Sequence, residues 1–301
     1  MGVMDKLRAR QLHSEGMACS EKGNEEGALE KYQAALKLDP DRSETLYNIG
    51  LIYKYRRAWR ESLDCNLRAD ALSPDDEATL WNLAIAATAL RDWNTARRTW
   101  VRLGIELGDG SGPIDDNFGE APVRLNPNDS GEVVWAHRID PVRARLINVP
   151  FSASGFRYGD VVLHDGAQVG TRLDRQGRER SVFNVLELLE ASRFSTFEAD
   201  IEAGDPQDMT DLDGRCDASG LICEDWTQNI RTLCKACSEG RPHQRHDEDR
   251  SDKSWQAERR VGIACANSRT VREVLNSWCL GASGRAVIHL ECTLRSLDSD
   301  P

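Results

Sequence analysis

The spacing of apolar residues along this chain changes once, about a third of the way from its N-terminus. In residues 5–107 the apolar side chains have helical spacing, and their pattern recurs at one fixed interval. Beyond residue 131, short apolar runs of strand length alternate with turn residues. The sequence therefore predicts a helical N-terminal part followed by strand-rich parts.

The repeat is visible when the chain is shifted against itself by about 34 residues, a period that indicates stacked helical units. Small residues recur where two helices must approach closely, and large residues recur where they fill the gap between units. The aligned sets are Leu12, Leu46 and Leu80; Gly16, Gly50 and Ala84; Ala28, Ser62 and Ala96; Tyr32, Asn66 and Trp100; and Ala35, Ala69 and Leu103. Pro40 and Pro74 close the first two units, and the third unit lacks this proline.

This period and pattern resemble the tetratricopeptide repeat (TPR), a helix-turn-helix unit of the same length. The resemblance covers residues 5–107 as three repeats, although Asn66 stands where the family has an aromatic residue. It implies that residues 1–107 form a helical solenoid, a fold that binds protein segments and has no chemistry of its own.

The family's geometry also implies which side chains face the concave groove of the solenoid. Six residues on the first helices of the second and third repeats are expected there: Tyr47, Asn48, Leu51, Trp81, Asn82 and Ile85. Packing between the repeats is the alternative for each of them. Trp81 is the predicted anchor for a bound segment, because large aromatic side chains dominate the energetics of interfaces.

Residues 108–131 are rich in Gly, Pro, Asp and Asn, which predicts a linker. Residues 132–191 contain four or five short strand patterns with Gly-rich turns, which predicts a small barrel-like sheet. The order of Trp135, Asn148-Val149-Pro150-Phe151 and Gly159-Asp160-Val161-Val162 resembles an uncharacterised bacterial domain family. That resemblance implies no catalytic residue.

Residues 192–297 have the pattern strand-helix-strand twice over, which predicts a ferredoxin-like α+β sandwich. Ser268 is the candidate N-cap of its second helix. We expect Cys265, Cys279 and Cys292 to pack in its core, because a thiol in an apolar run behaves as a small hydrophobic group. The predicted fold class is thus a TPR solenoid, a barrel-like sheet and a ferredoxin-like sandwich.

Two cysteines and two histidines lie close together in the predicted connection 234–254 of that sandwich. Cys234 and Cys237 have the spacing of a chelating pair, and His243 and His246 supply two further ligands. Four such ligands in a tetrahedral array suit a structural zinc ion. The two pairs are closer together than in a zinc finger, so an unmetallated loop and a redox or catalytic pair stay open.

Charge and composition restrict the classes of partner. The net charge of −11 argues against non-specific nucleic-acid binding, which requires a basic surface. No apolar run of about 18 residues predicts a membrane span, and no apolar core of signal-peptide length follows the first residues, so we expect a cytoplasmic protein. The phosphate-, dinucleotide-, hydrolase- and metalloprotease-type motifs are absent from the sequence.

We therefore expect a non-catalytic protein that binds a protein partner. An acidic surface speeds the capture of a basic partner, which favours a bacterial immunity protein, similar to an antitoxin, that neutralises a cognate toxin. A scaffold or chaperone adaptor fits the same residues. The alternative from another class is a zinc-dependent enzyme of unknown reaction. It would use the Cys234 to His246 cluster with His164 or Asp165, although His164 is interpreted first as a turn residue.

Overall fold

The computed structural model describes residues 2–129, 131–174, 176–227 and 255–296. The chain divides into two compact units, which meet in sequence between Asp116 and Asn117. Among the described residues, none of the helices combines the length and the apolar run needed to cross a membrane.

Three successive pairs of helices form most of the first unit. They are α1 (Val3–Glu21) with α2 (Glu25–Leu38), α3 (Ser43–Tyr55) with α4 (Trp59–Leu72), and α5 (Glu77–Ala89) with α6 (Trp93–Arg102). The side chains of Asn24, Asp76 and Asp92 accept backbone N–H groups at the starts of α2, α5 and α6, so local capping sets where these helices begin. The three helix pairs predicted from the repeat are confirmed.

Small residues stand where the two helices of a pair cross. A Cβ atom on Gly16 would lie 2.6 Å from Tyr32 Cε1, and one on Gly50 would lie 2.6 Å from the amide nitrogen of Asn66. Neither distance leaves room for a methyl group, so the recurrence of Gly at this repeat position has a steric cause. Asn66 is completely buried and donates to the Ser62 carbonyl oxygen at 2.7 Å.

The turn inside each helix pair repeats the same left-handed backbone conformation. Its φ angle is +73° at Gly23, +58° at Arg57 and +59° at Arg91, and these positions are equivalent in the three repeats. Gly adopts this conformation without strain, whereas a side chain there costs about 1 kcal/mol. The second and third repeats therefore keep the backbone of the first repeat at some cost in stability.

The chain after α6 folds back onto that helix. Arg97 donates from Nε to the Gly112 carbonyl at 2.7 Å and from Nη1 to the Gly108 carbonyl at 2.8 Å. Ile114 is completely buried. This part of the predicted linker is ordered because a guanidinium group satisfies several of its backbone acceptors at once.

Five strands begin the second unit, and their pairings form a β-ring. They are β1 (Glu120–Arg124), β2 (Val133–Arg138), β3 (Arg143–Leu146), β4 (Val161–Leu173) and β5 (Glu179–Glu190). Consecutive strands pair antiparallel, and β1 pairs in parallel with β5 at Val123–Phe183 and Arg124–Asn184. The interior is filled by small and branched apolar side chains, among them Val123, Leu125, Val134, Leu146 and Val162.

Two strand boundaries differ from the sequence prediction. β1 lies inside the range 108–131 that was predicted as a linker, because Ala121 and Val123 are buried in the β-ring despite the loop-like composition around them. β4 continues to Leu173, so His164 lies within a long strand and is not a turn residue.

In the described residues after β5, the second unit contains a four-stranded sheet and two helices, together called the C-terminal sheet. Its elements are β6 (Ser195–Glu202), α7 (Pro206–Ala218), β7 (Ile222–Asp225), β8 (Glu258–Cys265), α8 (Ser268–Leu280) and β9 (Ala286–Leu294). The strand order is β7-β8-β6-β9, and all neighbours are antiparallel. Both helices contribute to one apolar core, which includes Leu212, Val271, Leu275 and Trp278.

Two details of the C-terminal sheet can be compared with the sequence prediction. Cys265 is completely buried, and Cys279 and Cys292 pack against the same core, as predicted. The N-cap of α8 is Asn267 and not Ser268, because the Asn267 side chain accepts the Arg269 N–H at 3.1 Å.

Residues 148–151 fasten the β-ring to the C-terminal sheet, and we call this segment the clasp. Asn148 Oδ1 accepts the backbone N–H of Trp135 at 2.7 Å, while its Nδ2 donates to Glu224 at 2.8 Å. The backbone N–H of Val149 donates to the other oxygen of Glu224 at 2.8 Å. The tryptophan and asparagine of the sequence pattern are therefore hydrogen-bonded to each other.

Trp226 holds the other side of the clasp. Its indole Nε1 donates to the Val149 carbonyl at 3.1 Å, and its ring meets that of Phe151 edge to face at 4.7 Å. The clasp thus has a hydrogen-bonded face and an aromatic face, and both involve residues of the C-terminal sheet region.

Candidate interaction face

Helix α3, in the middle repeat, carries three of the six predicted groove residues on one face. Tyr47, Asn48 and Leu51 are partly exposed, whereas Leu46 and Ile49 of the same helix are buried. Residues spaced by three or four positions lie side by side on a helix. The three partly exposed side chains, here called the α3 face, therefore combine an aromatic, an amide and an aliphatic group.

The amide of Asn48 forms no hydrogen bond within the part of the chain that the structure describes. A side-chain amide offers two N–H donors and one carbonyl acceptor. An extended backbone offers the complementary groups, so Asn48 can pair with a segment that lies on the α3 face.

Helix α5 places its equivalent residues differently. Asn82 is 4% exposed and Ile85 is 1% exposed. Residues 82–88 of this helix are buried without a break, which is typical of a helix that is apolar on every side. Asn82 and Ile85 thus expose much less surface than a contact face usually does, and their part in binding a partner stays a prediction.

Trp81 is half-buried and packs against the core of the third repeat. Its ring lies edge to face with that of Trp100, with 5.1 Å between the ring centroids and 72° between the ring planes. Trp100 is completely buried. Trp81 therefore contributes to the packing of α5 against α6, and its role as an anchor stays a prediction.

The first repeat has His13 at the position of Tyr47 and Trp81, and the sequence interpretation missed it. His13 is 8% exposed, and its Nδ1 lies 2.8 Å from Thr45 Oγ1. Burial, with a smaller contribution from the charge of Arg42, lowers the pKa of His13. The neutral imidazole thus links α1 to the start of α3. The sequence signal that could have identified His13 is its position one repeat before Tyr47.

His164 and Asp165, the residues of the enzyme alternative, are enclosed in the β-ring. They are 0% and 4% exposed, and His164 Nδ1 lies 2.8 Å from the Asp165 carbonyl oxygen. The imidazole stacks on Phe183 at 5.0 Å, and burial lowers the pKa of His164 to about 4. A neutral, enclosed imidazole does not support a catalytic role.

The predicted zinc ligands Cys234, Cys237, His243 and His246 lie outside the described residues, as does the range 234–254. Within the described ranges, no group of three or more His, Cys, Asp or Glu side chains could hold a metal ion.

Comparisons with known proteins agree with the helix pairs of the first unit. Residues 16–54 match the family model described as TPR repeat. A comparison with curated proteins finds no match. The N-terminal unit is therefore a TPR-like helical region, and TPR domains are a class that binds protein partners.

Solved structures similar to part of this chain include two TPR domains. The second TPR of Spaghetti (RPAP3), bound to the HSP90 peptide SRMEEVD, is 20% identical with a TM-score of 0.32, over 34% of this chain and 90% of that chain. The Arabidopsis OM64 TPR domain is 14% identical with a TM-score of 0.30, over 33% and 84%. The N-terminal domain of stress-induced protein-1 from C. elegans is 17% identical with a TM-score of 0.30, over 34% and 88%.

Proposed function

We propose that this chain is a non-catalytic interaction protein that binds a protein segment on the α3 face of its TPR-like unit. The observation that supports this most directly is the combination of Tyr47, Asn48 and Leu51, partly exposed on the middle repeat. The apolar groups supply contact area at a low cost in side-chain entropy. The amide of Asn48, which has no partner among the described residues, fixes the direction of the bound backbone.

Peptides selected from a random display library on the full chain test this proposal. Leu51→Ala and Asn48→Ala should each weaken the binding of the selected peptides about tenfold, which is the effect of losing roughly 1.4 kcal/mol. Leu67→Ala is the matched control, because Leu67 is an exposed leucine on α4. If the selected peptides bind the Leu51 and Asn48 variants as tightly as they bind the wild type, the α3 face is not the binding site.

For the particular partner, we propose a basic protein, and as its most specific form a toxin domain that this chain neutralises as an immunity protein. The net charge of −11 supports a basic partner, since opposite charges speed association. Selected peptides should be enriched in Lys and Arg, and their association should slow as salt is added. Co-expression with a toxin encoded by the adjacent gene should restore growth. Failure to restore growth would favour the scaffold or chaperone adaptor.

The zinc site at Cys234, Cys237, His243 and His246 and the cytoplasmic location stay proposals from sequence. Purified full-length protein should contain bound zinc that Cys234→Ser removes and that Cys19→Ser, a change in α1, leaves in place. Folded wild-type protein without metal would exclude the site. A reaction that disappears with the metal in a folded protein would favour the zinc-dependent enzyme instead.

The fold of the C-terminal sheet is also part of this proposal. We assign it to the ferredoxin-like α+β class, and the support is its order of elements, β6-α7-β7-β8-α8-β9, with the strand order β7-β8-β6-β9. The resemblance of residues 132–191 to an uncharacterised bacterial domain family stays a prediction.

A further inference from the structure

The β-ring has a seam where the pairing of β1 with β5 stops. Toward the N-terminal ends of these parallel strands, the last pair is Val123–Phe183, although β1 begins at Glu120 and β5 at Glu179. The same offset places Glu120 opposite Arg180, and both residues line a cavity of about 340 Å³, here called the seam cavity. Its volume is at the lower end of the roughly 300–1,000 Å³ of small-molecule sites.

Trp135 and the residues that follow β3 form one part of the wall of the seam cavity. The backbone carbonyl of Trp135 accepts the N–H of Ile147 at 3.0 Å, and its backbone N–H donates to Asn148 at 2.7 Å. The Trp135 indole is partly buried and forms no hydrogen bond or ring contact within the part of the chain that the structure describes. The wall therefore offers an aromatic surface on a fixed backbone, next to the aliphatic side chain of Ile147.

Asp174, in the turn between β4 and β5, organises another part of the wall. Its Oδ1 accepts the backbone N–H groups of Gln176 and Arg178, both at 2.9 Å. Its Oδ2 accepts the Nε–H of Arg178 at 2.8 Å and that of Arg180 at 3.0 Å. Burial raises the pKa of Asp174, but these hydrogen bonds outweigh it and lower the pKa to about 2. One ionised carboxylate thus holds two guanidinium groups at the cavity.

The guanidinium group of Arg180 has donors to spare. It carries several N–H groups, and across the described ranges only its Nε–H has an acceptor. Arg178 and Arg180 together bring two positive charges against the single negative charge of Asp174, so one positive charge is left over. An anionic group can therefore bind the outer N–H groups of Arg180 without displacing Asp174.

Glu120 supplies the opposite charge on the other strand of the seam. Its side chain is exposed and has no hydrogen-bond or ion-pair partner among the residues that the structure describes. A ligand with only an anionic group would bring that group near this carboxylate, and a ligand with only a cationic group would approach the guanidinium groups. A ligand that carries both charges has an attractive partner on each strand.

We infer that the seam cavity binds a small zwitterion with an apolar body, which is the chemistry of a free α-amino acid. The carboxylate of the ligand accepts N–H groups of Arg180, its ammonium group donates to Glu120, and its apolar body packs on Trp135. The seam cavity lies in the second unit, and the proposed binding of a protein segment on the α3 face does not account for it.

Three ligands of one shape test the inference on the full-length protein. They are L-phenylalanine, which carries both charges, 3-phenylpropionate, which lacks the ammonium group, and 2-phenylethylammonium, which lacks the carboxylate. The indole N–H signal of Trp135, identified by its loss in Trp135→Phe, reports binding by NMR.

Phenylalanine should bind most tightly of the three. The 3-phenylpropionate ion should bind about threefold more weakly, because an ion pair with an exposed carboxylate contributes little. The 2-phenylethylammonium ion should bind about tenfold more weakly, because it loses the charged hydrogen bond to the guanidinium group. Binding of either singly charged ligand as tightly as phenylalanine would overturn the inference, and so would an unchanged Trp135 signal with all three ligands.

Substitutions on the two strands of the seam assign the two charges. Arg180→Met should weaken phenylalanine about tenfold without weakening 2-phenylethylammonium, and Glu120→Gln should weaken phenylalanine about threefold without weakening 3-phenylpropionate. Glu179→Gln is the matched control, because Glu179 is exposed at the start of β5 and does not line the cavity. If Arg180→Met melts early, Glu120→Gln decides, since Glu120 has no partner to lose among the described residues. Equal weakening of all three ligands by Glu120→Gln would contradict recognition of the ammonium group.

Discussion

Helices α3 and α5 occupy equivalent places in successive repeats, yet their equivalent side chains have different surroundings. Asn48 and Leu51 on α3 are partly exposed, whereas Asn82 and Ile85, at the same positions of the next repeat, are buried. The α3 sequence, SETLYNIGLIYKY, has polar residues on one face, while that of α5, EATLWNLAIAATA, is apolar almost all round. The repeat position determines where a side chain stands on its helix, but the composition of the whole helix determines its exposure.

The backbone is repeated more faithfully than the surroundings of the side chains. Gly23, Arg57 and Arg91 have the same left-handed conformation although only one of them is glycine. A repeat architecture thus conserves its turn geometry and its helix crossings, because every unit needs them in order to stack. Faces that take no part in stacking are free to differ.

The largest expected effect comes from truncating equivalent aliphatic residues on the two helices. Ile85→Ala should lower the free energy of unfolding by about 3 kcal/mol, because it leaves a cavity in a closed core. Leu51→Ala should cost less than about 1 kcal/mol. Urea unfolding of the full chain, followed by far-UV circular dichroism, measures both, and equal losses would remove the distinction between α3 and α5.

The second prediction concerns Trp81, the aromatic residue of the third repeat at the position of Tyr47. Trp81→Ala should lower the free energy of unfolding by about 2 kcal/mol, since the edge-to-face contact with Trp100 is lost along with buried area. Trp81→Phe keeps a ring at this position and should lose less. Peptide binding that weakens in Trp81→Ala without any change in melting temperature would restore Trp81 as a groove anchor.

His13 is the residue of the first repeat at the position of Tyr47 and Trp81, and its contribution to stability should depend on pH. Its lowered pKa means that the unfolded chain takes up the proton first as the pH falls. Its contribution to stability is therefore complete above the unfolded pKa of about 6.5 and decreases as the pH falls below it. The difference in melting temperature between the wild type and His13→Gln should shrink on acidification, and a constant difference would contradict this sign.

The smallest expected effect concerns the turns. Arg57→Gly should raise the free energy of unfolding by about 0.5 kcal/mol, because relief of left-handed strain outweighs the added backbone freedom of the unfolded chain. Gly23→Ala, the same backbone position in the first repeat, should lower it by a similar amount. Urea unfolding can resolve differences this small only if the free energy of unfolding depends on urea concentration with the same slope in both variants and in the wild type.

The repeat unit was the most predictable part of the fold, because its signals recur at one spacing. The burial of α5 was missed although the run from Leu83 to Ala89 contained the signal, since the interpretation relied on repeat position alone. Tyr47, Asn48 and Leu51, the α3 half of the predicted partner-binding residues, are partly exposed, and their role in binding stays a prediction.

The β-ring was less predictable, because local composition competes with long-range pairing. Pro122 and its Gly- and Asp-rich surroundings indicated a loop, yet β1 pairs with both β2 and β5. The sequence predicted Gly-rich turns in this range, but Gly166 and Gly170 lie within β4, whose pairing with β5 contains several register shifts. Irregular strands of this kind accommodate glycine without ending.

A cavity of about 320 Å³ beside the clasp had no local signal in the sequence. Glu132, Ser152, Glu198 and Arg260 come from four separate stretches of the chain, and no spacing between them is typical of a known site. Only the asparagine and phenylalanine at positions 148 and 151 pointed to this region, and they did so through a resemblance without an assigned chemistry.

The clasp also limits how genes can recombine this chain. Glu224 is the hydrogen-bond partner of Val149, and Trp226 is the packing partner of Phe151. A crossover between residues 132–191 and residues 192–297 would place the two partners of each clasp contact on different recombinant proteins. A crossover at the boundary between Asp116 and Asn117 would instead keep the β-ring, the clasp and the C-terminal sheet together.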